Sequence, residues 1–373
     1  MVRMPSSSPR VLLLTPVFPP ARGGIETLSL QMSRHLGECA LLVVTAEQDG
    51  WREWDAGSGL TVERVANVPR GGRKTQLRLT AAAVTAARRF KPDITVSMHV
   101  RLGPAAEAVR ALTKCRWVQY YHAKEVPTWR RQAGWCAKRA DAHIAVSRYT
   151  ADLVERAGGP RDRVAVVPPG IDLPSGGVTA KRGGPPRLLT ISRLADSYKG
   201  HDVVLEALPA LLEEFPDLRW DVVGDGPLRE SLERRASSAG TATAVSFRGS
   251  VSDDERDELL GQAHVFVMPS RVSEDGKDGE GFGITYVEAA AHGVPVVAAA
   301  EGGALDAVAD GRTGLLVDPR DPAAVAGAVG RILRDEDERL RMAEAGIDWA
   351  KGFSWERVAA ATRSVLFEGV GAR

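Results

Sequence analysis

The chain has 373 residues, of which 44% are hydrophobic and 26% charged, and its formal net charge is +1. This length suits two domains of ordinary size, while three scattered cysteines exclude a disulfide framework or a cysteine-based zinc site. The polar start M-V-R-M-P-S-S-S-P-R leads into an apolar run too short for a signal peptide or a membrane span, so we expect a cytoplasmic protein that does not cross a membrane.

The small net charge hides an asymmetry between the two halves. Residues 1–170 hold 26 Lys/Arg against 14 Asp/Glu, a balance of +12, whereas residues 171–373 hold 23 against 34, a balance of −11. Halves of opposite sign should attract each other across a cleft and present different fields to ligands. The first half is therefore predicted to bind an anionic partner, and no nucleic acid is expected.

The first half alternates apolar runs with helical patterns. A buried strand over Val11–Thr15 is followed by a Pro/Gly loop and, from Gly23-Gly24, by a helix whose apolar face includes Leu28 and Met32. Six more strands are predicted at Ala40–Thr45, Leu60–Val65, Ile94–Ser97, Arg116–Tyr121, Ile144–Ser147 and Val164–Val167, with helices at Gln76–Phe90 and Pro104–Leu112. This alternation predicts a parallel sheet with helices on both faces, a Rossmann-like domain over residues 1–172.

Residues 70–91 form a basic stretch, with seven Lys/Arg and no acidic residue. The predicted apolar face of its helix is Leu77, Leu79, Ala82, Val84 and Ala86, which is weak in bulk for a helix that inserts into a membrane. Two interpretations stay open: an ordinary solvated helix, or a surface that meets anionic lipid or an anionic acceptor.

A change of composition separates the halves. Residues 173–186 are rich in Gly, Ser and Pro and are predicted to be a linker. Strands then restart at Arg187–Ser192, Trp220–Val223, Val245–Arg248, Val265–Met268, Val294–Ala298 and Leu315–Val317. A second Rossmann-like domain is predicted over residues 187–352, with a C-terminal helix in residues 353–373 that returns to the first domain.

One stretch of the second half, E-G-F-G-I-T-Y-V-E over residues 280–288, predicts an anion site at a helix N-terminus. On a single helix, Glu280 and Glu288 would be about 12 Å apart along the axis, whereas a glycosidase pair is roughly 5–9.5 Å apart. A hydrolytic pair is therefore disfavoured. The two glutamates are interpreted instead as holding opposite ends of a long ligand, the alternative being a helix entry with two solvated carboxylates.

Two further segments follow predicted strands. Arg193 and Lys199 come after the first strand of the second half, where two cations suit a diphosphate, and Gly224-Asp225-Gly226-Pro227 follows the next strand as a tight turn. Taken singly, the first segment is better interpreted as a solvated loop, and the second is equally well a plain β-turn. Together with residues 280–288 they fall at one edge of a parallel sheet, where ligands bind in doubly wound folds.

These residues carry a resemblance to a known family. The chain resembles retaining glycosyltransferase family four nearly from end to end, and most of all its phosphatidylinositol mannosyltransferases. The matching segments are Gly23-Gly24-Ile25, Val146-Ser147, Gly170-Ile171-Asp172, Ser192-Arg193-Leu194, Lys199-Gly200, Gly224-Asp225-Gly226-Pro227, Met268-Pro269-Ser270, Glu280 to Glu288, Gly302-Gly303 and Gly311 to Val317. The resemblance implies the GT-B fold, with two Rossmann-like domains facing a central cleft.

The resemblance also implies roles for particular residues. Glu280 would contact the hydroxyls of the donor sugar, Glu288 the ribose, and His122 the donor sugar. Arg193 and Lys199 would neutralise the diphosphate. They would be helped by the backbone N–H groups of Phe282, Gly283, Ile284 and Thr285 and of Gly23 and Gly24, with Gly224 also at the donor site.

The predicted activity is transfer of a hexose-type sugar, with retention, from a nucleotide-diphosphate sugar to an acceptor such as a phosphate-bearing lipid or a small metabolite. No tightly bound cofactor and no metal are predicted, since two cations can neutralise the diphosphate. The acceptor is expected on the basic N-terminal domain, which could contact an anionic membrane peripherally. Two alternatives stay open: a nucleotide-sugar epimerase on the same fold and a non-catalytic nucleotide-sugar-binding module.

The chain departs from the family in two places. Pro169 stands where the family often has Asn or Ser before Gly-Ile-Asp, which puts a side-chain contact there in doubt but not the turn. Residues 277–279 form a charged, glycine-rich lead into Glu280, which is predicted to be a loop that closes over the donor.

Overall fold

The computed structural model describes residues 8–21, 23–37, 39–66, 73–176, 178–180 and 182–368. Residues 1–7 of the polar start, Arg70 of the basic stretch and the last five residues of the predicted C-terminal segment lie outside these ranges. The chain divides into two compact units. The first comprises residues up to Gly170 together with those from Trp355 onward, and the second comprises Ile171–Ser354.

The first unit is built on a seven-stranded parallel sheet in the order β3-β2-β1-β4-β5-β6-β7. Its strands are β1 (Arg10–Leu14), β2 (Ala40–Ala46), β3 (Val62–Val65), β4 (Ile94–Ser97), β5 (Arg116–Tyr121), β6 (Ala142–Ala145) and β7 (Val164–Val166). Its helices before the second unit are α1 (Gly24–His35), α2 (Trp51–Ser58), α3 (Arg73–Phe90), α4 (Gly103–Thr113), α5 (Glu125–Thr128), α6 (Arg130–Arg139) and α7 (Arg148–Arg156).

The second unit holds a six-stranded parallel sheet in the order β10-β9-β8-β11-β12-β13. Its strands are β8 (Arg187–Ile191), β9 (Arg219–Val223), β10 (Val245–Gly249), β11 (Val265–Met268), β12 (Val296–Ala299) and β13 (Gly314–Val317). Its helices are α8 (His201–Glu214), α9 (Arg229–Ser238), α10 (Asp253–Gln262), α11 (Ile284–Ala291), α12 (Ala304–Ala307), α13 (Pro322–Arg334) and α14 (Glu336–Ala350). The prediction of two Rossmann-like parallel-sheet domains is confirmed.

The central strands are apolar along their length because helices cover both faces of each sheet. Val11 to Leu14 of β1 and Val265 to Met268 of β11 are almost completely buried. Such strands need apolar residues at successive positions rather than apolar and polar residues in alternation. These continuous apolar runs are also what predicted the strands from the sequence.

The last segment of the described chain belongs to the first unit. Helix α15 (Trp355–Arg363) packs on α1, and the Arg363 guanidinium donates a hydrogen bond of 2.8 Å to the carbonyl of His35. Trp355 packs against Gly170, where an added Cβ would lie 2.3 Å from the indole ring. Residues 173–176, 178–180 and 182–186 of the predicted linker group with the second unit, as do Ile171 and Asp172 from the end of the predicted first domain.

Two details of the sequence prediction are wrong. Strand β6 ends at Ala145 rather than at Ser147, because the Ser147 hydroxyl accepts a hydrogen bond from the Thr150 N–H and caps α7. In α3, Leu77 is 70% exposed, and the buried face is formed by Leu79 with Ala83, Ala86 and Ala87. Residue 77 lies about 200° around the helix from residue 79, which places it on the opposite side.

Candidate functional site

The carboxyl edge of the second sheet collects the polar segments that the sequence singled out. From β8 the chain builds outward through β9 to β10, and it then returns to place β11 on the other side of β8. The segments that follow β8 and β11 therefore leave the sheet in opposite directions, and the crevice between them is where ligands bind in doubly wound sheets. Lys199 follows β8 and Glu280 follows β11.

Lys199 and Glu280 meet in this crevice. The Lys199 Nζ lies 2.6 Å from Glu280 Oε2, and each side chain is 13% exposed. Burial alone would lower the pKa of Lys199, but the Glu280 carboxylate, together with Tyr198 and Asp196, outweighs burial, so the pKa is raised and the amine stays charged. The site thus holds a fixed positive charge whose partner in this structure is a carboxylate.

Arg193 has a different environment from Lys199. Its side chain is 78% exposed and donates to Asp196 Oδ2 at 3.1 Å. The sequence suggested two similar cations side by side, whereas the structure gives one buried and one solvated. Arg193 is consequently the more mobile charge of the two, held only by an exposed ion pair of small energetic value.

The N-terminus of α11 offers a row of hydrogen-bond donors. Gly283 is its N-cap, with φ of 92°, and supplies no capping side chain. Among the described residues, none accepts a hydrogen bond from the backbone N–H groups of Phe282, Gly283, Ile284 and Thr285. Free N–H groups at the positive end of a helix bind anions, so this is where a phosphate would be held.

Packing fixes the direction of this row. The hydroxyl of Tyr286 donates to the Met268 carbonyl at 2.7 Å, and its ring packs edge-on against Phe266 at 6.0 Å. The preceding segment is held by Gly303, whose N–H donates to the Glu280 carbonyl at 2.8 Å. Any side chain at position 303 would meet the backbone of residues 281 and 282 within 2.5 Å, which accounts for the glycine there.

Glu288 lies one turn further along α11 and is half-buried. Burial raises the pKa of its carboxyl group, and Arg256 at the start of α10 opposes that shift. Glu280 lies ahead of the helix and Glu288 within it, so the two carboxylates bracket the row of N–H donors along the chain. This arrangement suits an elongated ligand with hydroxyl groups at both ends and an anion between them.

The glycines after β9 serve the fold itself. At Gly224, with φ of 123°, an added Cβ would lie 1.9 Å from the Ser192 carbonyl oxygen, and at Gly226 it would lie 2.5 Å from the backbone of Leu194. The close neighbour of this turn is therefore the chain's own β8 loop. The donor contact of Gly224 stays a prediction.

Two residues near this edge were missed by the sequence reasoning. Arg271 forms a two-pronged ion pair with Asp202, at 2.9 and 2.8 Å, which ties the segment after β11 to the start of α8. His201 lies 2.9 Å from the Ser192 hydroxyl, and burial, with the charge of Lys199, lowers its pKa to about 4. The nearby motifs at residues 198–202 and 268–271 were the available signals.

In the first unit, His122 follows β5. Its Nε2 lies 2.7 Å from the Met98 carbonyl, and because a carbonyl only accepts, Nε2 donates this hydrogen bond. The ring stacks on Tyr120 at 5.4 Å. The next residue, Ala123, has φ of 88°, a strained conformation of the kind found at functional sites.

His99 is a neighbour of His122 that sequence reasoning did not select. Its Nδ1 accepts a hydrogen bond from the Arg101 N–H at 3.1 Å, and burial lowers its pKa to about 4 although Glu125 opposes the shift. His99 follows β4, the strand beside β5, so its position at a strand end was the signal that could have found it.

The glycine pair Gly23-Gly24 stands at the start of α1. Neither residue has the positive φ that only glycine adopts freely. An added Cβ at Gly24 would meet no atom of the described residues within 4 Å, so its backbone is open to approach by a ligand.

No group of three or more His, Cys, Asp or Glu side chains that could hold a metal ion occurs in the described part of the chain. Within the same ranges, no helix combines the length and the apolar character needed to cross a membrane.

Comparison with known proteins gives matches over both units. The family model "Glycosyltransferase Family 4" matches residues 22–174, and "Glycosyl transferases group 1" matches residues 177–349. A Mycolicibacterium smegmatis protein named GDP-mannose-dependent alpha-(1-6)-phosphatidylinositol monomannoside mannosyltransferase is 35% identical over 370 residues, covering 91% of this chain and 93% of the relative.

Two more similarities concern part of the chain and the fold. A Streptomyces scabiei D-inositol 3-phosphate glycosyltransferase is 37% identical over 247 residues, which is 61% of this chain and 54% of that protein. The crystal structure of Anabaena Alr3699/HepE in complex with UDP and glucose has a TM-score of 0.78 at 21% identity, covering 96% of this chain and 99% of that one. The GT-B fold predicted from the sequence is thus confirmed.

Proposed function

Because the chain belongs to glycosyltransferase family 4, we propose that it transfers mannose, with retention, from GDP-mannose to an acceptor of the phosphatidylinositol mannoside type. The observation that carries the donor half is the Lys199–Glu280 pair beside the open N–H row of α11. The names of the relatives that match nearly the whole chain support this donor and acceptor.

The donor is proposed to lie along residues 280–288. Its diphosphate would accept hydrogen bonds from the N–H groups of Phe282, Gly283, Ile284 and Thr285, and Glu288 would accept them from the ribose hydroxyls. Free donors on a packed helix support the first role, and the half-buried carboxylate further along the same helix supports the second.

Departure of the diphosphate is the difficult step, because negative charge builds on the leaving oxygen as the sugar becomes oxocarbenium-like. Fixed donors aimed at developing charge are usually the largest catalytic contribution. A charge-assisted hydrogen bond contributes roughly 1.5–3 kcal/mol, so Arg193 and Lys199 together would supply about two to four decades in rate. We propose on this ground that no metal is required, and activity should then survive EDTA.

Lys199 must change partners for this to happen. With no donor bound, its ammonium is neutralised by Glu280. An arriving diphosphate would take over that interaction and leave the Glu280 carboxylate to accept hydrogen bonds from the sugar hydroxyls. Donor binding would in this way place Lys199 on the leaving diphosphate and Glu280 on the sugar at the same time.

The roles of Gly23, Gly24 and His122 rest on the family resemblance rather than on a measured distance. Gly23 and Gly24 are assigned to the diphosphate and His122 to the donor sugar. Two observations in the first unit support these assignments: the open side of Gly24 and the hydrogen bond that holds the His122 ring to the Met98 carbonyl.

Peripheral contact with an anionic membrane is the further proposal for the first unit. Helix α3 carries Leu77, 70% exposed, and the Lys/Arg residues 74, 78, 88 and 89, with Lys91 just after its end. Liposome flotation with anionic and neutral lipid tests this contact. Equal binding to anionic and neutral liposomes would rule out an electrostatic contribution of the basic residues to membrane binding.

The activity is tested with purified protein, GDP-mannose and a phosphatidylinositol mannoside, in comparison with UDP-glucose and with no acceptor. The expected result is an α-linked mannosyl product that forms only with acceptor. Its anomeric configuration is read from the one-bond C1–H1 coupling by NMR. Isomerisation of the nucleotide sugar without acceptor would point to the epimerase instead. Tight donor binding without turnover, in wild type and in Glu280→Ala alike, would point to a non-catalytic module.

A further inference from the structure

Arg271, which follows β11, contacts the chain on both sides of Lys199. Its backbone N–H donates to the carbonyl of Tyr198 at 2.8 Å, directly before Lys199. Its guanidinium donates to the two carboxylate oxygens of Asp202, at 2.9 and 2.8 Å, three residues after Lys199. These two contacts form the Arg271 clamp, which encloses the short helical turn that carries the Lys199 ammonium.

The backbone inside the clamp has little room to move. Gly200 has φ of 81°, and a Cβ added there would lie 2.3 Å from the Pro269 carbonyl oxygen. The Lys199 ammonium lies 5.2 Å from the centre of the Tyr198 ring, within the range of a cation–π contact. The turn that carries Lys199 is thus packed directly on the segment that leads to Glu280.

The ion pair between Arg271 and Asp202 is the part of the clamp that side chains supply. The two side chains are 22% and 27% exposed. Burial alone would raise the pKa of Asp202, but the hydrogen bonds and charge of Arg271, together with backbone N–H groups, lower it, so the carboxylate stays charged. Two parallel N–H···O bonds fix the orientation of both groups, whereas an ammonium makes contact at a single point.

The position of Lys199 affects the rate more than it affects binding. A long lysine side chain can reach a bound diphosphate from several backbone positions. In the transition state, however, a donor stabilises the developing charge only where it is aimed at the leaving oxygen. A displacement of about 1 Å can lower a rate by roughly 10²-fold.

We propose that Arg271 is a positioning residue of the donor site, which together with Asp202 holds the backbone of Lys199 so that its ammonium meets the leaving diphosphate in one geometry. Arg271 itself contacts neither donor nor acceptor, and its contribution passes through Lys199. This inference rests on the proposed function in taking Lys199 to act on the diphosphate.

The first experiment measures kcat and KM separately, with GDP-mannose and a phosphatidylinositol mannoside. Arg271→Met should lower kcat about tenfold or more, while the KM for GDP-mannose rises no more than about threefold. Arg271→Lys keeps the charge and one hydrogen bond and should recover part of the lost kcat. Asp202→Asn breaks the same ion pair from the other side, and the double variant Arg271→Met/Asp202→Asn should have a kcat no lower than that of the weaker single variant.

A matched control is Arg331→Met. Arg331, in the last turn of α13, forms an equivalent two-pronged pair with Glu338, at 3.0 and 2.5 Å. The same turn is joined to the end of α8 through Arg334 and Glu214, and α8 ends at the amino edge of the sheet, where the chain enters β9. The control pair therefore lies at the opposite edge from the site, and its loss should leave kcat and KM unchanged.

The second experiment tests whether Arg271 acts through Lys199. Titration calorimetry with GDP is carried out with and without Arg271→Met, in wild type and in the Lys199→Met/Glu280→Gln background. Arg271→Met should weaken GDP binding about threefold when Lys199 is present and not at all when Lys199 is absent. Melting temperatures of the same samples show that each variant is folded.

A wild-type kcat in Arg271→Met, or a loss of rate that only follows its unfolded fraction, would overturn the proposal. An equal loss of GDP affinity in both backgrounds would also overturn it, because Arg271 would then contact the donor directly. The two proposals fail separately. If no mannose is transferred but Arg271→Met weakens GDP binding only in the presence of Lys199, the positioning role stands without the transferase. If transfer occurs and Arg271→Met behaves like Arg331→Met, the transferase stands without the positioning role.

Discussion

The ammonium of Lys199 lies 2.6 Å from the carboxylate of Glu280, with each side chain 13% exposed. The pair joins the segment after β8 to the segment after β11 across the crevice of the second sheet. Removing one partner of a pair this buried costs much more stability than removing both, because the remaining charge is left uncompensated.

Lys199→Met should therefore destabilise the protein by about 3 kcal/mol or more and abolish activity. Glu280→Gln should cost less stability, since the amide oxygen still accepts from Lys199. The double variant Lys199→Met/Glu280→Gln removes both charges and should melt at a higher temperature than Lys199→Met alone, while staying inactive. Thermal unfolding and initial transfer rates measure these effects.

A matched control is the surface pair Lys351–Asp348, at 3.3 Å with both side chains more than 60% exposed. Exposed pairs contribute about 0–1 kcal/mol, so Lys351→Met should change neither melting temperature nor rate measurably. If Lys199→Met melted like Lys351→Met, the Lys199–Glu280 pair would contribute no more stability than an exposed pair. If the double variant recovered activity, the pair would have no role in catalysis.

Gly283→Ala should weaken GDP-mannose binding by a factor of ten or more. Position 283 has φ of 92°, and an added Cβ would lie 2.2 Å from the Tyr286 ring, so the cap and its row of N–H donors must shift. Gly327→Ala is the control, because Gly327 lies within α13 with no atom within 4 Å of an added Cβ. It should be neutral or slightly stabilising. Titration calorimetry measures the affinity of both variants for GDP-mannose. Equal affinities would contradict the proposal that the N-terminus of α11 binds the diphosphate.

The sequence predicted the fold well because buried parallel strands are continuous apolar runs. Strands β4, β5 and β11 have the predicted bounds, since each run ends where a polar or helix-forming segment begins. The end of β6 was missed because Val146 continues the apolar run beyond the strand, while the hydroxyl of Ser147 caps the next helix. The end of this strand is set by a local hydrogen bond, which cannot be inferred from composition.

The candidate site was only partly predictable. Glycine spacing and strand ends brought Lys199 and residues 280–288 to one edge, but the pairing of Lys199 with Glu280 depends on β8 and β11 being neighbours, which is a matter of sheet order. The contacts of Arg271 escaped prediction for the same reason. Arg271 follows β11 and reaches Tyr198 and Asp202, which follow β8, only because the two strands lie side by side.

Glu288→Gln should lower the affinity for GDP-mannose about tenfold or more through loss of charge-assisted hydrogen bonds to the ribose. It should also change the pH dependence. Burial raises the pKa of Glu288 above its ordinary value of 4.5, so the wild-type carboxylate is protonated, and affinity falls, at a higher pH than for an exposed glutamate. Dissociation constants measured between pH 4.5 and 8 should slope in wild type and be flat in the variant. A parallel slope in the variant would assign the titration to another group.

The last prediction concerns stability in acid. His143 is fully buried, and burial lowers its pKa to about 4 from the ordinary 6.5. A depressed histidine pKa means that the unfolded chain takes up a proton which the folded chain refuses, so the contribution to stability is complete above pH 6.5 and is lost as the pH falls towards 4.

His143→Leu removes this titration. Its melting temperature should fall less steeply than that of wild type between pH 6.5 and 4.5, a difference of at most about 1.4 kcal/mol per pH unit. At pH 8 the residue is neutral in both states, so the difference measured there gives the packing effect alone. His99, His201 and His264 share the lowered pKa of about 4, and some acid slope therefore remains in the variant. If the two proteins lost stability in parallel over this range, His143 would be charged in the fold or would not titrate on unfolding.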